Sequence, residues 1–394
     1  MTTITHYSPY SAANRENPYP AYDWLRRDHP VYYNDRHKFW VLSRYEDIVW
    51  AARTPEIFSS AQGVGVDKRY GLSMIANDPP VHTRLRKLVV TAFTPRRIAS
   101  FAPRIQAILD DLLDDVIAKG SFELLADLAI PLPVTAISMI LGVDPEYRHD
   151  FKRWSDDVVN FTAGPAQGPA REKLRQSWEE FCEYFSHMME TRLRAPQDDV
   201  VTLLAQAQDE GDALTVLEFL NFCQLLLVAG NETTTNLISN GILAFSAFPE
   251  EEQKLRQQPE WVTSAVEEIL RYDTPVQMTY RTTTRDIDIR GITIPADSKV
   301  ALLWGSANRD PDVFPEPDRF DIARTPNKHV AFASGIHYCL GAPLARLEMK
   351  LTLETLMRRL RHLEIDPDGE CGRIKSSSLL RGMQRVPMRF ESAA

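Results

Sequence analysis

No stretch of this 394-residue chain is both long and apolar enough to cross a bilayer. The longest uncharged, largely apolar run, 128–143, carries Pro131 and Pro133 and is expected to be buried core. Met1 to Tyr10 lacks the apolar centre of a secretory signal, so a soluble, cytoplasmic protein is expected. Cysteine is scarce: Cys182, Cys223, Cys339 and Cys371 lie far apart with no Cys-x-x-Cys pair, which excludes a disulfide framework and a clustered zinc site. Positive charge is outnumbered, 45 Lys plus Arg against 54 Asp plus Glu, and without a basic tail the net charge of -9 argues against nucleic acid. Linkers, low-complexity tracts and internal repeats are missing too, so residues 1–394 read as a single domain.

What the chain does have is one cysteine in an unusual setting. Residues 332–346 run Phe-Ala-Ser-Gly-Ile-His-Tyr-Cys-Leu-Gly-Ala-Pro-Leu-Ala-Arg. Gly335 and Gly341 flank Cys339 and are expected to take backbone angles closed to other residues, letting a flat partner approach the main chain. Phe332 is placed to shield the sulfur. Beyond Gly341 the spacing of Leu344, Leu347, Leu351, Leu356 and Leu360 predicts a helix, with Pro343 in its first turn. Cys339 then sits just ahead of a helix N-terminus, where free N–H groups favour the thiolate, the metal-binding form. His337 can donate to an acidic group. A lone cysteine is most often an inert small hydrophobe. Phe-x-x-Gly-x-His-x-Cys-x-Gly, however, should arise by chance on the order of 10⁻⁵ times in such a chain, so the pattern is not accidental.

Thr215-Val-Leu-Glu218 reads as a capping box opening a helix that can run to about Ala247, ~48 Å at ~1.5 Å per residue. Its centre, Ala229-Gly-Asn-Glu232-Thr233-Thr, allows two readings. One is a break at Gly230 with a new cap at Asn231. The other is a continuous helix in which Ala229 and Gly230 leave a groove for a flat partner while Thr233 bonds back to a carbonyl. Asp78-Pro-Pro opens another helix, where His82 and Arg86 share a face and could grip an anion. Glu268-x-x-Arg271 is an i,i+3 ion pair. Segments 105–118, 122–141, 145–161 and 169–193 read as further helices, whereas 30–42, 286–290, 292–294 and 299–303 read as short strands.

These motifs, in this order, resemble the cytochrome P450 family over nearly the whole chain. The resemblance implies a mainly α fold with small β-sheets, an α-rich prism with a long central helix over the haem. It implies haem b with Cys339 as the iron ligand, and no flavin. Ala229, Gly230, Phe332, Gly335 and Gly341 would pack around the macrocycle, and His82, Arg86, Arg281 and His337 would neutralise its propionates. Glu232 and Thr233 would deliver protons. Arg319, from Pro317-Asp-Arg-Phe, would complete a structural cluster with Glu268 and Arg271. Ala333 and Ser334 stand where the family often has glycine, and Glu232 where aspartate is common.

The implied activity is insertion of one oxygen atom from O₂ into an apolar small molecule: a steroid, terpenoid, fatty acid or polyketide-like compound. Only 34 residues follow Leu360, too few for a flavin domain. Electrons are therefore expected from NAD(P)H through a reductase and an acidic ferredoxin docking near Arg84, Lys87, Arg346 and Lys350. Val64, Val66, Met74, Phe161, Leu226, Val276, Met278 and Met383 are expected to line the substrate, with 145–193 as a lid hinged at 164–168. Two other readings stay open. A peroxide-driven haem enzyme would not need Glu232 and Thr233, and a non-enzymatic haem sensor or carrier would leave them unexplained.

Overall fold

The computed structural model describes residues 6–67, 73–162, 169–209 and 211–392, with the backbone alone at 148, 156, 158–162, 169–171 and 208–209. The capping box forms as the sequence predicts. Thr215 accepts from the Glu218 N–H, Glu218 reaches back to the Thr215 N–H, and the helix Val216–Ala247 continues unbroken through Gly230. Tertiary contacts outweigh the ~1 kcal/mol that a glycine costs there. Polar side chains stitch this central helix to its surroundings: Thr235 donates to the Ala129 carbonyl at 2.8 Å, and Asn240 to those of Asp273 at 2.9 Å and Arg381 at 3.0 Å.

Around the helix lies the larger of two apolar cores, built from Leu109, Leu128, Leu227, Ile269, Leu353 and their neighbours. The cysteine-flanking helix, Ala342–Arg359, joins this core at a close approach. A Cβ added at Gly241 would lie 2.6 Å from Met349 Cε and 3.1 Å from Ile269 Cδ1. Only glycine lets the two neighbours seat at that distance.

The smaller core backs a five-stranded sheet of β1 (Val31–Asn34), β2 (Phe39–Leu42), β3 (Phe58–Ser59), β4 (Thr279–Thr283) and β5 (Lys299–Leu302). The spatial order is β1-β2-β5-β4-β3; β2 and β5 run parallel and the other pairs antiparallel. Val300 on β5 faces Arg281 on β4, which fixes the arginine's place in the register.

Segment 122–141 departs from the single helix expected. It divides into strand Phe122–Glu123, a π-helical turn Leu125–Ala129 and helix Pro131–Leu141. Pro387 and Met388 pair with the strand, capturing it into a three-stranded sheet, and local helical periodicity carries no sign of that distant partner. The hinge expected at 164–168 lies outside the described residues. The helices it would connect are Arg148–Thr162 and Pro169–Arg194. No helix among the described residues is long and apolar enough to cross a membrane.

Candidate active site

The cysteine loop is held from both ends. Cys339 N–H donates to the Phe332 carbonyl at 3.0 Å, closing the loop, and a 3-10 turn spans Gly335–His337. Gly335 has φ +73°, and a Cβ there would fall 2.3 Å from the Ala52 carbonyl oxygen, so glycine serves both conformation and contact. Gly341 differs from expectation. Its φ is -81°, open to any residue, and a Cβ would sit 3.9 Å from Cys339 Sγ. That is ordinary van der Waals contact, so neither angle nor space among the described atoms demands glycine there. The left-handed angle falls instead on Ala333, φ +62°, the position where the resembled family often has glycine.

Cys339 precedes helix Ala342–Arg359. Burial pushes the thiol up, against the Gly341 and Ala342 N–H groups and the Arg86 and Arg346 charges. The two N–H groups at the start of the helix favour the thiolate, as the sequence suggested, while burial opposes them. Arg346 also stacks over the Phe332 ring, 4.6 Å from its centroid.

Around His337, side chains from three segments of the chain converge. Arg86 donates to the Tyr338 carbonyl at 2.7 Å and lies close enough to Cys339 to feel its charge. His82 and His337 are 4.4 Å apart by ring centroids. Both His82 nitrogens and His337 Nε2 are buried without a hydrogen-bond partner. Arg281, 3% exposed, donates to the carbonyl of its neighbour Tyr280 at 2.8 Å, and burial lowers its pKa to about 10 although Asp78 is nearby. Burial, with the Arg281, His82 and Arg86 charges, lowers His337 to about 3. Leaving buried donors unmatched costs ~1–3 kcal/mol each, more for a charged group. The arrangement is therefore matched to an anion.

On the central helix, Ala229 is exposed while Leu226, Leu227 and Asn231 around it are buried, so Ala229 faces an internal cleft. Gly230 points elsewhere. A Cβ there would meet Ile137 Cγ1 at 3.9 Å, so Ala229, rather than the pair, forms the small-residue wall. Thr233 Oγ1 donates to the Ala229 carbonyl at 2.6 Å, the back-bond the sequence suggested, and Glu232 is half-buried beside it.

Other predicted residues are placed differently. Glu268 and Arg271, both fully buried, form a bidentate pair at 2.7 and 2.8 Å. Their third charged partner is Arg324, whose Nε lies 3.1 Å from Glu268 Oε1. Arg319 is 57% exposed beside Glu316 and gives the cluster only its carbonyl oxygen. The expectation of Arg319 is corrected accordingly, because five residues of turn bring Arg324 back over the pair.

The expected docking cations are also engaged. Arg84 pairs with Asp212 and Glu218, Arg346 with Glu267 at 2.6 Å, and Lys350 lies 3.8 Å from Glu354. Glu267 is held down at about 2; its burial is outweighed by Arg346 and His329. Lys87 is exposed.

Of the expected substrate-lining residues, Met74, Leu226 and Met383 belong to the large core, while Val66 and Val276 pack against the sheet core. Val64 gives its carbonyl to the Tyr280 N–H at 2.9 Å. Met278, 2% exposed, borders a small cavity of about 20 Å³ with Tyr7 and Tyr22. The Phe161 side chain lies outside the described residues.

One thiolate for an iron and, beside it, buried cations and imidazoles for carboxylates that could not otherwise enter a protein interior are what haem b requires. The residues fit that group, and the class they define is a haem-thiolate protein. The chain belongs to the cytochrome P450 family, whose family model matches residues 12–387. It is a monooxygenase of that family and uses haem b. The vitamin D(3) 25-hydroxylase of Pseudonocardia autotrophica is 38% identical over 398 residues, covering 98% of this chain and 97% of the relative. Cytochrome P450 CYP109Q5 from Chondromyces apiculatus superposes with a TM-score of 0.90 at 38% identity, covering 99% and 100% of the two chains. CYP109E1 from Bacillus megaterium, in complex with corticosterone, gives 0.89 at 36% identity, covering 96% and 99%.

Proposed function

We propose that this cytoplasmic P450, a single haem domain, oxidises an apolar small molecule of steroid or secosteroid size. The carrying observation is the Cys339 loop with its buried His82, His337 and Arg281 cradle, which supports haem as the group bound there. The substrate class is supported by two relatives, one named a vitamin D(3) hydroxylase and one bound to corticosterone. Fatty acids, terpenoids and polyketide-like molecules are the competing classes.

When bound, haem b supplies the site at which O₂ is activated. Cys339 would hold the iron, with two N–H groups aimed at its sulfur to stabilise negative charge there. Arg86, Arg281, His82 and His337 would hold and orient the propionate edge. Thr233 keeps its own proton on the Ala229 carbonyl, so its lone pairs accept from the cleft. To pass a proton on, the hydroxyl releases Ala229 and is resupplied from Glu232. Ala229 keeps that wall low, letting a flat macrocycle approach the helix.

Electrons come from NAD(P)H through a reductase and a ferredoxin. Docking rests on Lys87, Arg346 and Lys350. Arg84, with two carboxylates of its own, contributes little.

The deciding experiment adds corticosterone and vitamin D3 to the haem-loaded enzyme and follows the shift from low to high spin, then turns over whichever binds under ¹⁸O₂ with ferredoxin and reductase. One labelled oxygen in the product supports the reading. A spin shift with palmitate and none with either sterol would replace the substrate class while leaving the chemistry intact.

A further inference from the structure

Residues 144–147 and the helices Arg148–Thr162 and Pro169–Arg194 enclose a groove of about 730 Å³, within the size range of small-molecule sites. Its lining shares no residue with the cysteine loop or its cradle. Two independent properties of that lining point to the same ligand.

The first is an aromatic platform. The Tyr147 and Tyr184 rings lie 4.6 Å apart by centroids, and Trp154 lies 5.7 Å from Tyr184. Tyr147 is 37% exposed, so part of the platform faces the groove in contact with solvent.

The second is charge. The groove has two arginines, and both are spent on carboxylates. Arg153 pairs with Asp150 at 2.9 Å and with Glu180, while Arg192 pairs with the buried Asp199 at 2.6 Å and donates to the Gly142 carbonyl at 3.1 Å. Asp144, Glu146 and Glu183 also line the groove and make no ion pair among the described residues. Ring faces and unpaired carboxylates both attract cations and both repel anions.

We propose that this groove binds an organic monocation, a quaternary or tertiary ammonium on an apolar body, with the ammonium at the Tyr147 and Tyr184 faces and the Asp144, Glu146 and Glu183 carboxylates around it. A neutral sterol would leave the carboxylates unused, and an acidic protein would be repelled by them. Both helices contribute walls, so an occupant ties one to the other.

The test is calorimetric titration of benzyltrimethylammonium chloride into the haem-loaded, full-length enzyme, with benzyl alcohol and benzenesulfonate as neutral and anionic controls. Saturable one-to-one binding of the cation alone is expected, without a change in haem spin state. Tyr147→Leu and Glu183→Gln alter exposed side chains and should each weaken it about tenfold, with an unchanged reduced CO spectrum reporting an intact fold. Three results overturn the proposal: no saturable binding, equal affinity for benzyl alcohol, or binding that survives both variants. A spin-state shift that persists in both variants would place the cation in the oxidation site and also overturn it.

Discussion

The imidazole of His82 stands 4.4 Å from that of His337, centroid to centroid, and neither His82 nitrogen nor His337 Nε2 has a hydrogen-bond partner. They come from different elements, the helix Val81–Val89 and the turn Gly335–His337. Burial holds both pKa values down, so neither ring carries charge near neutrality. Two neutral donors beside Arg281 form a cradle that is costly until an anion fills it.

Removing one donor should therefore loosen the haem. At ~1–3 kcal/mol for a buried hydrogen bond that goes unmade, His82→Phe or His337→Phe should weaken haem retention by roughly 5- to 150-fold. Transfer of haem to apomyoglobin measures it. An unchanged transfer rate in both variants would remove the two histidines from the propionate cradle.

Two glycines of the central helix should respond oppositely to the same substitution. A Cβ at Gly230 meets nothing closer than 3.9 Å, so Gly230→Ala should stabilise the protein by ~0.5–1 kcal/mol through helix propensity. At Gly241 the new carbon would lie 2.6 Å from Met349 Cε, and overpacking should cost ~1–3 kcal/mol. Thermal melts of the two variants, compared with wild type, give both signs.

Thr233→Ala removes the hydroxyl and its bond to the Ala229 carbonyl but leaves the cysteine loop untouched. Haem binding and substrate affinity should persist, while more of the consumed NAD(P)H ends as hydrogen peroxide. Product, peroxide and NAD(P)H measured together provide the check. Unaltered coupling would show that protons travel by another route.

Glu348 gives the fold a pH dependence unrelated to the cradle. It is fully buried, its Oε2 has no partner, and burial raises its pKa from 4.5 to about 8. The folded protein holds this proton more tightly than the unfolded chain does. Its contribution is whole below about pH 4.5 and is lost as pH rises through about 8. Glu348→Gln should flatten the fall in stability over that window, by a few kcal/mol at the alkaline end. Urea midpoints at pH 6 and pH 9 should converge in the variant; equal pH slopes in variant and wild type would exclude Glu348 as the cause.

The sequence alone carried what depends on near neighbours along the chain. The capping box at Thr215 and Glu218, the Thr233 back-bond, the Glu268 and Arg271 pair and the place of Cys339 before a helix are all set within four residues, the reach of helical geometry. Tertiary structure decided everything that needed a partner from far away. Arg84 meets Asp212 and Glu218, Arg324 rather than Arg319 closes on Glu268, and Met349 packs where Gly241 of the central helix has no side chain. A sequence names the charges in a chain, whereas their pairing and desolvation follow from which surfaces are packed together.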